Sequence, residues 1–254
     1  MAEGPNLFVS ERYNQISEYI KHNGRATVEE LAKFLFVSPA TIRRDLAAMQ
    51  NLGLLKRTHG GAIHIENGEE ISIFVRMDRD AEEKEKAASV ALAHPMEFTS
   101  VFIDNSSTCF ALAERMNLAY KTVVTNGLQL ALKLAGRKDI ELILIGGHLR
   151  YNGASTSGGV ALSVLQSFRF DLMLCGAASI GFDGAYEHSL ETVEVKRLAF
   201  ERSDKRVLVV GGSKFKAKSL YRVAPLDSYD LICTDLRDPL INEWRSKGIK
   251  IVNS

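Results

Sequence analysis

The chain has 254 residues, 46% of them hydrophobic and 25% charged, and its formal net charge is +1. This apolar content builds one large core or two smaller ones and excludes a disordered or fibrous chain, while the near-zero charge excludes a uniformly basic nucleic-acid coat and confines any DNA contact to a locally basic surface. Cys109, Cys175 and Cys233 lie far apart without a CxxC pair, which reads as reduced core thiols and gives no basis for a disulfide, a metal site or a cofactor.

Met1 to Phe8 lacks a basic stretch followed by an apolar one, and no run of about 18 apolar residues follows. A cytoplasmic chain without a membrane span is expected. From Ser10 the pattern is helical, with Tyr13, Ile16 and Ile20 on one stripe, Val28, Leu31, Ala32 and Leu35 on a second, and Asn23 and Gly24 breaking the chain between them. Thr27 and Glu30 have the spacing of a capping box, which starts the second helix. Ser38 and Pro39, an N-cap and a proline at the first helical position, start a third helix that buries Ile42, Leu46 and Met49. Phe36 and Val37 form the turn between the two. Past Gly53, the runs Leu54 to Thr58 and Ala62 to Ile65 flank His59, Gly60 and Gly61, the pattern of a hairpin and a candidate wing.

A first domain is therefore expected over residues 1–65, and a polar, poorly periodic connector over 66–80. A helix from about Ala81 to Ala93 opens a second domain, 81–254. In it short apolar or β-branched runs alternate with helical stretches: Val101 to Asp104, Thr122 to Asn126, Glu141 to Gly146, Asp171 to Gly176, Arg206 to Gly211, Leu231 to Thr234 and Ile249 to Val252. Such alternation builds an α/β domain on a doubly wound, mostly parallel sheet.

Between Thr41 and His59, Arg43, Arg44, Lys56 and Arg57 face the single Asp45, a local charge of +3 in a nearly neutral chain. If Ile42, Leu46 and Met49 point inward, the helical period turns Ala40, Arg44 and Ala47 outward, with Thr41 and Arg43 on the flanks. An arginine among small residues suits the major groove, where it can donate two hydrogen bonds to guanine; Thr27, Ser38, Lys56, Arg57 and His59 are better placed for phosphates or the adjoining minor groove. The order Thr27-Val-Glu-Glu-Leu-Ala32, Val37-Ser-Pro-Ala-Thr-Ile-Arg-Arg-Asp-Leu46 and Arg57-Thr-His-Gly-Gly-Ala62 resembles the DeoR family of bacterial regulators. The resemblance implies a winged helix-turn-helix, its helix-turn-helix at about 26–45, with Ser38, Thr41, Arg43 and Arg44 as DNA contacts.

Polar and glycine positions collect at the carboxyl ends of the expected strands: Asp104 with Asn105, Ser106, Ser107 and Thr108, then Thr125 with Asn126, Gly146 with Gly147, Gly176, and Gly211 with Lys214. Ligands of open α/β sheets bind on that edge. The run from Ser106 to Thr108 leads into a helix whose N-terminus suits a phosphate, with Lys214 as the neutralising charge. The resemblance extends through Phe102-Ile-Asp104, Val124-Thr-Asn126, Ile145-Gly-Gly147, Glu194-Val-Lys-Arg197 and Ser213-Lys-Phe215, and implies a sensor domain related in fold to ribose-phosphate isomerases and CoA transferases, with a phosphorylated sugar or related metabolite as effector. Two positions depart from the family pattern. The Asp-x-Gly-Thr-Thr loop reads Asp104-Asn-Ser-Ser-Thr108, where Ser106 limits close backbone approach, and Asp-x-Ser-Lys reads Gly211-Gly-Ser-Lys214, which removes a carboxylate beside Lys214.

A DNA-binding repressor of carbohydrate genes, binding operator DNA as a homo-oligomer, is the reading these features favour. A sugar-phosphate isomerase-like enzyme is the alternative, with Asp104, Glu191, Glu194 and Lys214 as its polar groups. Against it, Glu191, Glu194, Lys196 and Arg197 share one helix at a spacing typical of solvated ion pairs. A protein-binding adaptor built on the winged helix is a third reading.

Overall fold

In the computed structural model, which describes residues 9–52, 54–63, 73–150 and 153–254, the chain divides into two units, Met1–Ser72 and Ile73–Ser254. Gly53, His64, Ile65 and the 66–72 part of the expected connector lie outside the described residues. In the first unit α1 (Val9–Asn23), β1 (Arg25–Thr27), α2 (Val28–Leu35) and α3 (Pro39–Asn51) are followed by β2 (Lys56–Thr58) and β3 (Gly61–Ile63). Thr27 caps α2 as its spacing requires: its hydroxyl accepts from the Glu30 amide at 3.2 Å and the Glu30 carboxylate accepts from the Thr27 amide at 2.7 Å. Phe36, left-handed at φ 55°, ends that helix, and Ser38 caps the next. Ile16, Leu31, Ile42 and Met49 are fully buried in one cluster, each such side chain contributing about 1.5–3 kcal/mol.

The hairpin forms, and β3 also pairs with β1, giving an antiparallel sheet in the order β1-β3-β2. A three-residue strand is too short to show alternation, so β1 carries no periodic signal. Thr27 lies opposite Gly61. A Cβ at position 61 would fall 1.9 Å from the Ala26 carbonyl oxygen, so this pairing needs glycine there.

The second unit runs α4 (Ile73–Asp78), α5 (Ala81–Leu92), β4 (Ser100–Ile103), α6 (Ser107–Arg115), β5 (Thr122–Thr125), α7 (Leu128–Leu134), β6 (Glu141–Leu144), β7 (His148–Arg150), β8 (Ser155–Ser157), α8 (Gly158–Gln166), β9 (Phe170–Cys175), β10 (Ser179–Gly181), β11 (Gly184–Glu187), α9 (Leu190–Glu201), β12 (Ser203–Val210), β13 (Tyr221–Ala224), β14 (Leu231–Thr234), α10 (Pro239–Ser246) and β15 (Ile251–Asn253). All seven expected strands join one parallel sheet in the order β15-β14-β12-β9-β4-β5-β6. Its strands are apolar on both faces: Phe102, Val124, Met173 and Leu208 point to one cluster, Val101, Ile103, Val123 and Leu172 to the other, as helix-covered parallel strands require. The chain leaves β4 toward β5 and β6 and then returns to β9 on the other side, so the strand order reverses beside β4. A crevice for a ligand opens at such a reversal.

Two features differ from the sequence reading. The β7–β8 hairpin and the antiparallel sheet β10-β11-β13 consist of strands of three or four residues whose pattern is lost among loops. Residues 73–78 of the expected connector form α4, which packs on α6 within the second unit; six residues are fewer than two helical turns and show no 3.6 period.

At the amino-terminal edge of the sheet Asp171 accepts from the Thr99 amide at 2.7 Å, the Thr99 hydroxyl at 2.6 Å and the Ser100 amide at 2.9 Å. These bonds, the Thr99 hydroxyl first, hold its carboxyl well below the usual carboxylate range. Asp171→Asn is expected to lower stability by about 1.5–3 kcal/mol at pH 7. Because the folded form is the stronger acid, that stability is present above the unfolded value of about 3.9 and is lost as pH falls below it. Urea denaturation at pH 7 and pH 3 checks this; the gap between wild type and mutant should narrow at pH 3.

Candidate functional site

The exposed face of α3 carries Ala40, Arg43 and Arg44, with Thr41 and Ala47 half-buried and Ile42 and Leu46 inside. Lys56, Arg57, Thr58 and His59 are exposed on the hairpin. The Arg57 amide donates to the Gln50 side-chain oxygen at 2.9 Å, so the hairpin cations are tied to the helix that carries Arg43 and Arg44. Two hydroxyls are less available than their types suggest. Thr27 Oγ1 also lies 2.9 Å from the Glu30 carboxylate, and Ser38 Oγ lies 2.9 Å from Thr41 Oγ1, so both serve their own helix starts.

Asp45 does not offset the surface cations, as its count in the sequence had it. It is 4% exposed, and the Arg12 guanidinium holds it with two bonds, Nε to Oδ2 at 2.5 Å and Nη2 to Oδ1 at 2.9 Å. The pattern of α3 could not reveal this, because the partner lies 33 residues upstream on α1. Among the described residues Arg43 has only Glu29 at 3.9 Å, with both side chains more than half exposed, a contact worth little in water. The four cations therefore stand on the outer surface with little compensation from the described residues.

In the second unit the crevice at the end of β4 is lined by Asp104, Asn105 and Ser106, with Gly127, Gly153 and Ala154 opposite and Ile73 and Phe110 beside them. Asn105 donates to the Gly153 carbonyl at 3.4 Å, and the Thr125 hydroxyl accepts from the Gly127 amide at 3.0 Å. Asn126 is 3% exposed and its Oδ1 has no partner among the described residues, an acceptor that a ligand hydroxyl could satisfy. Ser107 and Thr108 occupy the first turn of α6, whose cap is Ser106, and Ser107 faces a second cleft shared with Lys84. Gly146 has open space beside it; Gly147, at φ 118°, lies against Ser157 and Ala161 instead.

Asp104 and Gly176 play a different part from the one their positions suggest. The Asp104 carboxylate accepts from the Ser106 amide at 2.9 Å and the Gly176 amide at 2.9 Å and pairs with Lys196 Nζ at 2.8 Å. Lys196 also donates to the Gly176 carbonyl at 2.8 Å and pairs with Glu187 at 2.5 Å. Burial alone would push the Lys196 ammonium down, but the two carboxylates hold it well above the ordinary lysine value. Lys196 is 2% exposed, which corrects the reading of α9 as a helix of solvated ion pairs; the neighbouring Arg197 likewise donates to the Val223 carbonyl. This triad clamps the loop after β4 to the turn after β9. The clamp needs glycine at 176, where a Cβ would fall 2.6 Å from the Ser106 side chain, and so Ser106 fits without opening the loop.

Lys214 lies on the turn Gly212–Phe215, and that turn is held by carboxylates from elsewhere. The Gly212 amide donates to Asp235 at 2.7 Å and the Ser213 amide to Glu83 at 3.0 Å. A Cβ at Gly211 would meet the Glu83 carboxylate at 3.0 Å, so a longer side chain at 211 and this placement of Glu83 compete for one space. Glu83 and Lys84 carried no motif signal in the sequence; charged residues at the start of a helix usually face water.

Residues 12–67 match the DeoR-like helix-turn-helix domain, and residues 79–236 match the DeoR C terminal sensor domain. Over 252 residues the chain is 31% identical to the HTH-type transcriptional regulator GolR of Listeria innocua, covering 96% of this chain and 98% of that protein. It is 32% identical over 233 residues to the glycerol-3-phosphate regulon repressor of Escherichia coli K12, covering 91% and 92%. It is 30% identical over 230 residues to the HTH-type transcriptional repressor GlcR of Bacillus subtilis, covering 90% and 89%. Among solved structures, ribose 5-phosphate isomerase A of Methanocaldococcus jannaschii aligns with 54% of this chain and 55% of its own at 12% identity and a TM-score of 0.35, a likeness too distant to argue from.

Proposed function

Because this chain belongs to the DeoR family of transcriptional regulators, we propose that it represses carbohydrate-metabolism genes by holding operator DNA with α3 and the β2–β3 hairpin, and that a phosphorylated sugar at the ends of β4 and β5 releases that hold. The observation that carries the DNA half is the outer face of α3, where Arg43 and Arg44 stand on the side opposite buried Ile42 and Leu46. The relatives described as repressors of a glycerol-3-phosphate regulon and as GlcR support the sugar half. Two half-sites of an operator fit two copies of the chain. Among the described residues no helix is long and apolar enough to cross a membrane, in keeping with a protein that works on DNA in the cytoplasm.

An isomerase-like activity fits less well. Asp104 and Lys196, the charged pair nearest the crevice, are buried and bonded to each other, so neither is poised to move a substrate proton.

Arg44→Ala is expected to weaken specific operator binding by about 1–3 kcal/mol and to blur preference at one base pair, whereas Lys56→Ala should weaken all sequences alike and reduce the salt dependence. Binding titrations on operator and scrambled DNA across salt concentrations distinguish the two. An Arg44→Ala protein with unchanged affinity and preference would place a different face of α3 against the DNA.

A further inference from the structure

The large sheet has two edges, and the sequence treats them differently. At β15, Arg245 donates to the Ile251 carbonyl at 2.8 Å, so a side chain covers that edge. At β6 the Glu141 amide donates to the Lys121 carbonyl at 3.0 Å and the Ile145 amide to the Thr125 carbonyl at 2.9 Å. Residues 141, 143 and 145 therefore turn their backbone groups toward β5, and Leu142 and Leu144 turn theirs outward. Among the described residues no strand pairs with that side of β6. Free edges are commonly blunted by lysine, proline or a bulge. Glu141-Leu-Ile-Leu144 has none of these, and its register with β5 is unbroken.

Both helices beside this edge leave apolar side chains in the open. α7, which packs on β6, buries Leu130 and Leu134 on one face of the sheet and exposes Leu132. α8 buries Ala161 and Leu165 on the other face and exposes Val160 and Val164. Gly147, just past β6, lies against Ala161, which brings the start of α8 to the end of the strand. From Leu142 to Leu149 and from Ser155 to Phe168 the chain has no Asp, Glu, Lys or Arg. An open strand edge with an apolar, uncharged border marks an interaction surface.

Resting on the reading that two copies hold an operator, we infer that β6 pairs antiparallel with β6 of a second copy of this chain, about a two-fold axis at Ile143. The backbone suits this register. Leu142 of each copy stands opposite Leu144 of the other, and each such pair exchanges both its N–H···O bonds, four in all. Ile143 meets Ile143 across the axis as the non-hydrogen-bonded pair. Charge selects the orientation and the occupant. Glu141 is the single charge of the strand; the two-fold sets it opposite Ile145 and keeps the two glutamates about 13 Å apart along the seam, whereas parallel pairing in register sets them side by side. The edge thus asks for an apolar strand with its charge at one end, which a second β6 is. Specific interfaces bury about 1,200 Å² or more, beyond what four residues of strand offer, so Leu132, Val160 and Val164 belong to the same surface. The pairing joins two seven-stranded sheets into one and makes assembly a property of the second unit.

Sedimentation equilibrium on the full-length chain without DNA tests this, and wild type should contain at least two copies. Leu144→Pro removes an outward N–H and spares the ladder to β5, so it should raise the dissociation constant about tenfold or more while circular dichroism stays unchanged. Val164→Glu, at an exposed position, should do the same and serves should the proline variant fail to fold. Leu220→Lys, at a leucine exposed elsewhere in the second unit, should leave the assembly as it is. Ile143→Cys should form an interchain disulfide with oxidised glutathione, because Cα atoms of a non-hydrogen-bonded pair lie about 4.5 Å apart and Cys109, Cys175 and Cys233 are buried. An assembly that survives both Leu144→Pro and Val164→Glu, or that gives no Ile143→Cys crosslink, overturns the inference and leaves the two-copy reading standing. A wild type that is monomeric even at high concentration also overturns it, leaving the edge to a strand of another protein; if that monomer occupies operator DNA as one copy, the two-copy reading falls as well.

Discussion

Lys196→Met is expected to destabilise the second unit by about 3–5 kcal/mol, because it leaves two buried carboxylates facing each other without their shared cation. Asp104 is 1% and Glu187 8% exposed, so water cannot take over the role of the ammonium. Asp104 keeps its bonds from the Ser106 and Gly176 amides, but without Lys196 its repulsion from Glu187 is unopposed, and one of the two must take up a proton or move outward. Either response loosens the loop that opens α6 and lines the crevice, so effector binding should fall together with stability. The double variant Lys196→Met/Asp104→Asn should regain part of the loss by removing one of the stranded charges. Urea denaturation of both proteins at pH 7 measures this, and a loss below about 1 kcal/mol for Lys196→Met would mean that the triad is not the clamp described.

Why the sequence shows some of this and not the rest follows from the range of each interaction. Capping, glycine turns and apolar periodicity act over three to eight residues, so α2, α3, the hairpin and all seven strands of the large sheet can be read from local pattern. The outward face of α3 is legible for the same reason, since helical geometry puts Arg44 opposite Ile42 and Leu46 once those are known to be buried. The pairings that decide the electrostatics are non-local. Arg12 with Asp45 spans 33 residues, and Asp104 with Gly176 spans 72; no spacing rule links them. Lys196 shares its side of α9 with Thr192, Val193, Ala199 and Phe200, a mostly apolar stripe that marks it as inward-facing, but only the fold brings Asp104 and Glu187 to it. Ser106 and Gly211 show the converse. Each is a local departure from a motif, and each is matched by a distant residue, Gly176 against Ser106 and Glu83 beside Gly211.

Asp45→Ala is expected to weaken operator binding strongly even though Asp45 is buried away from the exposed face of α3 that is proposed to meet DNA. It is 4% exposed and bonded twice to Arg12, whose side chain is 11% exposed. Removing the carboxylate breaks both bonds from Arg12 that tie α1 to α3 and leaves a void between the helices, a change of about 3 kcal/mol, the low end for a broken buried pair because the arginine edge is partly wet. A unit of this size has a total stability of only about 3–8 kcal/mol, so much or all of it is forfeited, and α3 loses its support against α1. The loss should fall on operator and unrelated DNA alike, unlike that of Arg44→Ala, and should appear in a lower melting temperature of the first unit while the second keeps its own. The charge-free pair Arg12→Met/Asp45→Leu separates the two explanations, since a buried ion pair can be replaced by apolar residues of similar volume without loss. If that variant is folded and binds operator as wild type does, the pair acts by holding α3 in place. If it is folded and does not bind, Asp45 or Arg12 takes part in recognition directly and the assignment of the outer face must be revised.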